Sequence, residues 1–275
     1  MTHFKKSLRL CLAIAGMCSA LTASAHEFWM WPSAFSSPVG SSVALSLNVG
    51  EYFSGERIGF VANQAALLRH SDARLTEDIT GSIPNIAVAE LRLKLARPGT
   101  HLFAYDSQPS TITLQADKFH AYLHDEGLDD IIELRKASGE ADMPGRERYR
   151  RNVKTLVRAG GKTDAVHATR SGQRLEIIPA RDASNRPVGS TLEFSLEFDG
   201  KPLANRLIKA WHKHGGQTVV IRVRSNEDGR FALALPYAGA WMLSVVHMVR
   251  ANDAPEVDWD SFWGNLSFEM AAGKK

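Results

Sequence analysis

The residues with most chemistry to offer are histidines, and one stands at a special place. Ala23-Ser24-Ala25 precedes His26-Glu27-Phe28-Trp29, and Ala-x-Ala is the small-residue pattern at which a signal peptidase cuts. Cleavage there makes His26 the first mature residue. Its α-amine, with a pKa near ~7.7–8, then lies beside an imidazole near ~6.5, and the two nitrogens close a chelate ring on one metal ion. No internal histidine has this option.

Eight more histidines follow His26. His247 is the second candidate ligand, because it interrupts the apolar run Leu243 to Met248 on an expected strand. A buried ring there needs a partner, either a metal or a backbone hydrogen bond. His120 and His124 lie four apart on an expected helix, a spacing able to grip a metal, although an exposed helical face is the plainer reading. His212 and His214 share a strand face just before Gly215-Gly216 and read as a solvated hairpin tip. His101 opens a strand, and His70 and His167 lie in polar context with nothing to raise them. Asp258 and Asp260 flank Trp259 and are candidate hard ligands or outer partners of an imidazole. The aromatic clusters Phe28, Trp29, Trp31 and Trp259, Phe262, Trp263, Phe268 read first as core packing.

The leader that would deliver His26 has all its parts within residues 1–25. Lys5, Lys6 and Arg9 form the positive start, and Leu10 begins an apolar core too short to span a bilayer, which takes roughly 20 residues. Export to the periplasm is the expectation, with no transmembrane segment in the mature chain. Both cysteines, Cys11 and Cys18, fall in the leader. Disulfides and thiolate ligands are thereby excluded from the mature chain, so a metal site must use His, carboxylate and backbone donors. The 33 Lys+Arg lose Lys5, Lys6 and Arg9 with the leader, leaving 30 against 30 Asp+Glu. That balance argues against nucleic acid as a partner.

The elements that must position these groups read as mainly β. Ser42 to Val49 and Val88 to Leu95 alternate polar with apolar residues, and His101 to Tyr105 and Ser110 to Leu114 continue as short strands. The period then changes: Phe119, Tyr122 and Leu123 at helical spacing stop at Gly127, and Leu128 to Leu134 suggests a second helix capped by Asp129. Tyr149 to Val157 reads as a returning strand. Ser190 to Phe198 alternates strictly into the Asp199-Gly200 turn, and four further strands follow up to Val249. The expected architecture is two β-sandwich domains, Ig-like or transthyretin-like: 26–172 with a helical insertion around 117–138, and 173–275.

An ordered set of motifs adds to this reading: His26-Glu27-Phe28-Trp29, Val49-Gly50-Glu51 with Phe53 and Gly55-Glu56, Lys118-Phe119 through Glu126-Gly127-Leu128, Arg146 to Tyr149, Val246-His247-Met248, Trp259 and Phe268. Together they resemble the exported family catalogued as domain of unknown function 4198 (DUF4198), across nearly the whole mature chain. The resemblance implies metal handling of the kind found in periplasmic components of nickel and cobalt uptake. It also makes His26 and His247 recurrent positions.

Signatures of enzymes are missing from the linear text: no G-x-S-x-G elbow, H-E-x-x-H helix, P-loop or cysteine nucleophile. The expectation is a non-enzymatic periplasmic protein that binds a divalent transition metal through His26 and His247. Nickel or cobalt come first and copper or zinc after, with an envelope uptake transporter as partner. A non-metal adhesion or scaffold module and a copper-binding redox protein remain as alternatives.

Overall fold

The computed structural model describes residues 27–272; His26 and the segment expected to be its leader lie outside them. The first half supplies β1 (Glu27–Pro32), β2 (Ser36–Ser37), β3 (Ser42–Glu51), β4 (Ser54–Ile58), β5 (Ala65–Ser71), β6 (Thr76–Asp78), β7 (Leu91–Lys94), β8 (Gly99–Ser107) and β9 (Ser110–Leu114). Two helices, α1 (Ala116–Asp125) and α2 (Asp129–Ala137), lead into the long strand β10 (Gly145–Ala159). The second half supplies β11 (Leu175–Pro179), β12 (Thr191–Phe198), β13 (Lys201–Pro202), β14 (Leu207–His214), β15 (Gln217–Arg224), β16 (Arg230–Ala234), β17 (Gly239–Arg250) and β18 (Trp259–Met270).

These strands build two sandwiches that share their middle layer. The central sheet runs β15-β14-β17-β18-β10-β8-β5-β6, with β2 and β9 also paired to β10. One face is covered by β1-β3-β4, with β7 on β3, and by the helix pair; the other is covered by β11-β12-β13 with β16 on β12. Strand β8 shows why the layers stack this way. Phe103 and Tyr105 enter the first core with Phe28, Leu45 and Phe60, whereas Leu102 and Ala104 enter the second with Phe194, Phe231 and Phe268. A strand buried on both faces carries an unbroken apolar run instead of alternation, which is how Leu102 to Tyr105 reads.

The halves are joined by parallel pairing of β10 with β18, from Glu147 opposite Trp259 to Thr155 opposite Ser267. On β17 the alternation sends Trp241, Leu243 and Val245 to the second core, and Met242, Val246 and Met248 to the other side. There α1 buries Phe119, Tyr122 and Leu123, and α2 buries Ile131 and Ile132, against Val246, Met248 and Trp259. Gly145 opens β10 directly under α1, and a Cβ at that position would run into the Phe119 ring.

Two local expectations shift. Asp129 does not cap α2: Leu128 takes the cap position, and Asp129 and Asp130 sit in the first turn, where a carboxylate still favours the helix dipole. The strand expected from Val88 shortens to β7, because Val88 instead bridges Phe60.

Candidate metal centre

Strands β5 and β8 run antiparallel, with His70 opposite Phe103 and Ser71 opposite Leu102. His101 lies two residues before Phe103 and so shares its face, diagonal to His70, within reach of a long side chain. This face is the one that Leu68 and Phe103 turn toward the first core. The histidines therefore extend an inward-facing row to the end of the sheet. Phe103 stacks on His70, with ring centroids 4.8 Å apart, and His70 and His101 are parallel to within 2°. Gly99 starts β8 at φ +122, a conformation suited to glycine.

Asp72 follows β5 and holds the tight return to β6, accepting from the backbone N–H groups of Arg74 at 2.8 Å and Leu75 at 3.2 Å. Its other oxygen accepts from the Arg97 guanidinium at 2.6–2.7 Å. His70, Asp72 and His101 are all buried, and one ligand atom from each lies within 4.8 Å of the others.

The hydrogen bonds fix where the protons stand. The Arg97 carbonyl only accepts, so His101 Nε2 donates to it at 2.9 Å, leaving the His101 Nδ1 lone pair turned inward. The Glu77 carboxylate, opposite His70 on β6, accepts from His70 Nδ1 at 3.0 Å. His70 Nε2 faces His101 Nδ1 at 2.8 Å, the two inner nitrogens sharing one hydrogen bond. Burial pushes the His101 pKa down, helped by neighbouring His70 and opposed by the hydrogen bond to the Arg97 carbonyl. Burial also pushes Asp72 up, but Arg97 and the two backbone donors outweigh it, so its carboxyl is held below the ordinary value and ionised.

Each imidazole thus has its outer nitrogen tied to an oxygen and its inner nitrogen aimed at the other ring. Outer-oxygen support of this kind fixes tautomer and orientation for histidines that ligate metals. Two neutral nitrogens and a carboxylate suit zinc, nickel or copper. Tetrahedral ligation at about 2.1 Å needs nitrogens about 3.4 Å apart. Parting the rings by roughly half an ångström, with loss of the shared proton, meets that requirement.

A family profile described as Domain of unknown function (DUF4198) matches residues 23–249. The chain belongs to this family. The match takes in the whole His70, Asp72 and His101 cluster and ends near the end of β17. No curated protein matches the chain significantly.

In this DUF4198 chain, His247 projects from β17 into the second sandwich, with its ring 4.4 Å from that of Phe198. Its Nδ1 is buried without a hydrogen-bond partner, and burial, with Arg206 adding to it, lowers its pKa to about 4. His26 falls outside the described residues. Its neighbour Glu27 lies on the opposite face of the central sheet from His247, beside Ser244, Val246 and Glu126. Burial, together with Glu126, raises the Glu27 carboxyl to about 8.

The remaining candidates have other occupations. His120 and His124 are exposed on α1, and His124 pairs with Asp129. His214 is exposed, whereas His212 is buried, stacked on Trp241 and bonded to the Ala240 carbonyl. Asp258 holds Arg146, and Asp260 holds Arg148 and Arg150. The cluster that does converge, His70 with His101 and Asp72, does not stand out in the sequence. Its trace there is slight: His70 and Asp72 two apart at a strand end, and a histidine in the apolar row of β8.

Proposed function

We propose that this protein is exported and binds a divalent transition metal ion between His70 Nε2 and His101 Nδ1, with Asp72 as third donor once the exposed side of Arg97 swings away. The observation that supports this reading is the facing pair of ring nitrogens at 2.8 Å, each ring braced from behind by an oxygen. An ion takes the place of the proton the rings share, so binding releases a proton. The site lies one layer below the surface, where Glu77 and Arg97 reach solvent.

Nickel or cobalt, delivered to an uptake system of the envelope, is the cargo proposed from the resemblance of the sequence. Nitrogen donors alone would favour nickel over cobalt. The amine and imidazole of His26 form a separate proposed site that does not depend on the first; with His247 on the far face of the central sheet from Glu27, that chelate is proposed without it. Calorimetric titration of the mature protein with nickel, cobalt, copper and zinc separates them. His70→Ala and His101→Ala abolish binding at the cluster, whereas one extra residue before His26 abolishes only the terminal chelate. Unchanged binding in both histidine variants contradicts the cluster reading.

A further inference from the structure

Strand β10 carries a row of arginines, and most have protein partners. Arg146 is held by Asp258, Arg148 by Asp260 and Asp253, Arg150 by Asp260, and Arg158 by Ser184. Arg151 is the exception. Among the described residues no oxygen accepts from its guanidinium, although the residue is half-buried and its backbone N–H is bonded to Ser107. What holds the group is aromatic: its central carbon lies 4.3 Å from the centroid of the Phe28 ring and 5.2 Å from that of Tyr149. None of its nitrogens is among the sealed polar atoms, so its donors remain open.

They open into a cleft of about 470 Å³ between the edge of the first sandwich and β10, whose lining includes Asn63, Gln64, Gln108 and Tyr149. The Tyr149 hydroxyl also has no hydrogen-bond partner among the described residues. A volume in this range suits a small-molecule site with a few convergent polar groups. Burial lowers the Arg151 pKa, and no carboxylate is among the groups that act on it. A cation is therefore kept in a partly dry site with no anion supplied by the chain.

We infer that this cleft binds a small organic carboxylate, taken through its carboxyl group by the Arg151 guanidinium, with its polar body against Tyr149 and the amides of Asn63 and Gln108. A guanidinium held over an aromatic ring by its central carbon still offers N–H donors at its edge, and that fork matches a planar carboxylate. A single arginine with no second cation is a poor match for the double charge of a phosphate. The site lies apart from the histidine cluster and stands whether or not that cluster binds metal.

The test reads the Arg151 Nε–H resonance of the mature protein by NMR during titration with acetate, L-lactate, succinate, benzoate and inorganic phosphate. At least one carboxylate shifts it saturably, Arg151→Lys weakens that binding by about tenfold or more, and Arg151→Met abolishes it. The inference is overturned if no carboxylate moves the signal up to about 10 mM. It is equally overturned if phosphate binds more tightly than every carboxylate, or if Arg151→Met binds as well as wild type. Should the Met variant fail to fold, the wild-type titration and Arg151→Lys decide the question by themselves.

Discussion

His70 Nε2 and His101 Nδ1 face each other at 2.8 Å across two neighbouring strands, in rings that are parallel to within 2°. Three hydrogen bonds run in line from Glu77 through both rings to the Arg97 carbonyl. Under the proposed function a metal ion takes the place of the proton in the central one.

Glu77 is a positioning residue in this scheme, since it touches the outer nitrogen of His70 and not the ion. Glu77→Gln should keep a hydrogen-bond acceptor but lose the charge, weakening metal affinity by about 10- to 100-fold, the usual scale for an outer partner of a ligating histidine. Affinity unchanged in calorimetry would remove Glu77 from the site.

His247 makes a pH prediction with a definite sign. The fold holds its pKa near 4 against an ordinary 6.5, so between those values the unfolded chain binds a proton that the folded one refuses. Stability then rises with pH through that window and is lost as pH falls. In His247→Phe the loss of unfolding free energy between about pH 8 and about pH 4 should shrink by about 3 kcal/mol. Urea unfolding at the two pH values decides it, and an unaltered difference would mean the ring is protonated inside the fold.

Lys154 and Glu176 form an ion pair at 2.7 Å beneath the second core, with both side chains almost fully excluded from solvent. Lys154→Met leaves Glu176 with only the donors of Ser171 and should destabilise the protein by about 3–5 kcal/mol. Adding Glu176→Gln removes the orphaned charge and should restore most of the loss. Equal stability of the single and double variants would show that the pair is not what costs.

Tyr52 and Phe53 both have positive φ, 52° and 55°, in the two-residue turn between β3 and β4. Such a turn favours Asn-Gly, and two bulky residues there cost roughly 1–2 kcal/mol each. Phe53 offsets this by packing on Trp29 and Trp31; Tyr52 is exposed. Tyr52→Asn should therefore stabilise the protein by about 1 kcal/mol in chemical denaturation. A destabilised variant would mean that the Tyr52 edge contact with Trp211 outweighs the strain.

Where one face of a strand is buried, the sequence is easy to read: Thr191 to Phe198 alternates because Leu192, Phe194 and Leu196 enter the second core. The helix pair is equally legible from Phe119, Tyr122 and Leu123. The shared central sheet is not, because β8 and β10 are buried on both faces and lose the alternation. The joining of β10 to β18 pairs Thr155 with Ser267, 112 residues away. The cluster is hidden for the same reason. His70 and His101 meet only through the β5–β8 register, and no local pattern announces a diagonal contact between residues 31 positions apart.

X-ray absorption on the nickel-loaded mature protein reads the ligand shell itself. At least two imidazole nitrogens are expected at about 2.1 Å, in a signal that persists when one residue precedes His26 and disappears when His101→Ala is added to that extended protein. A spectrum that survives His70→Ala and His101→Ala unchanged would contradict metal binding at the cluster.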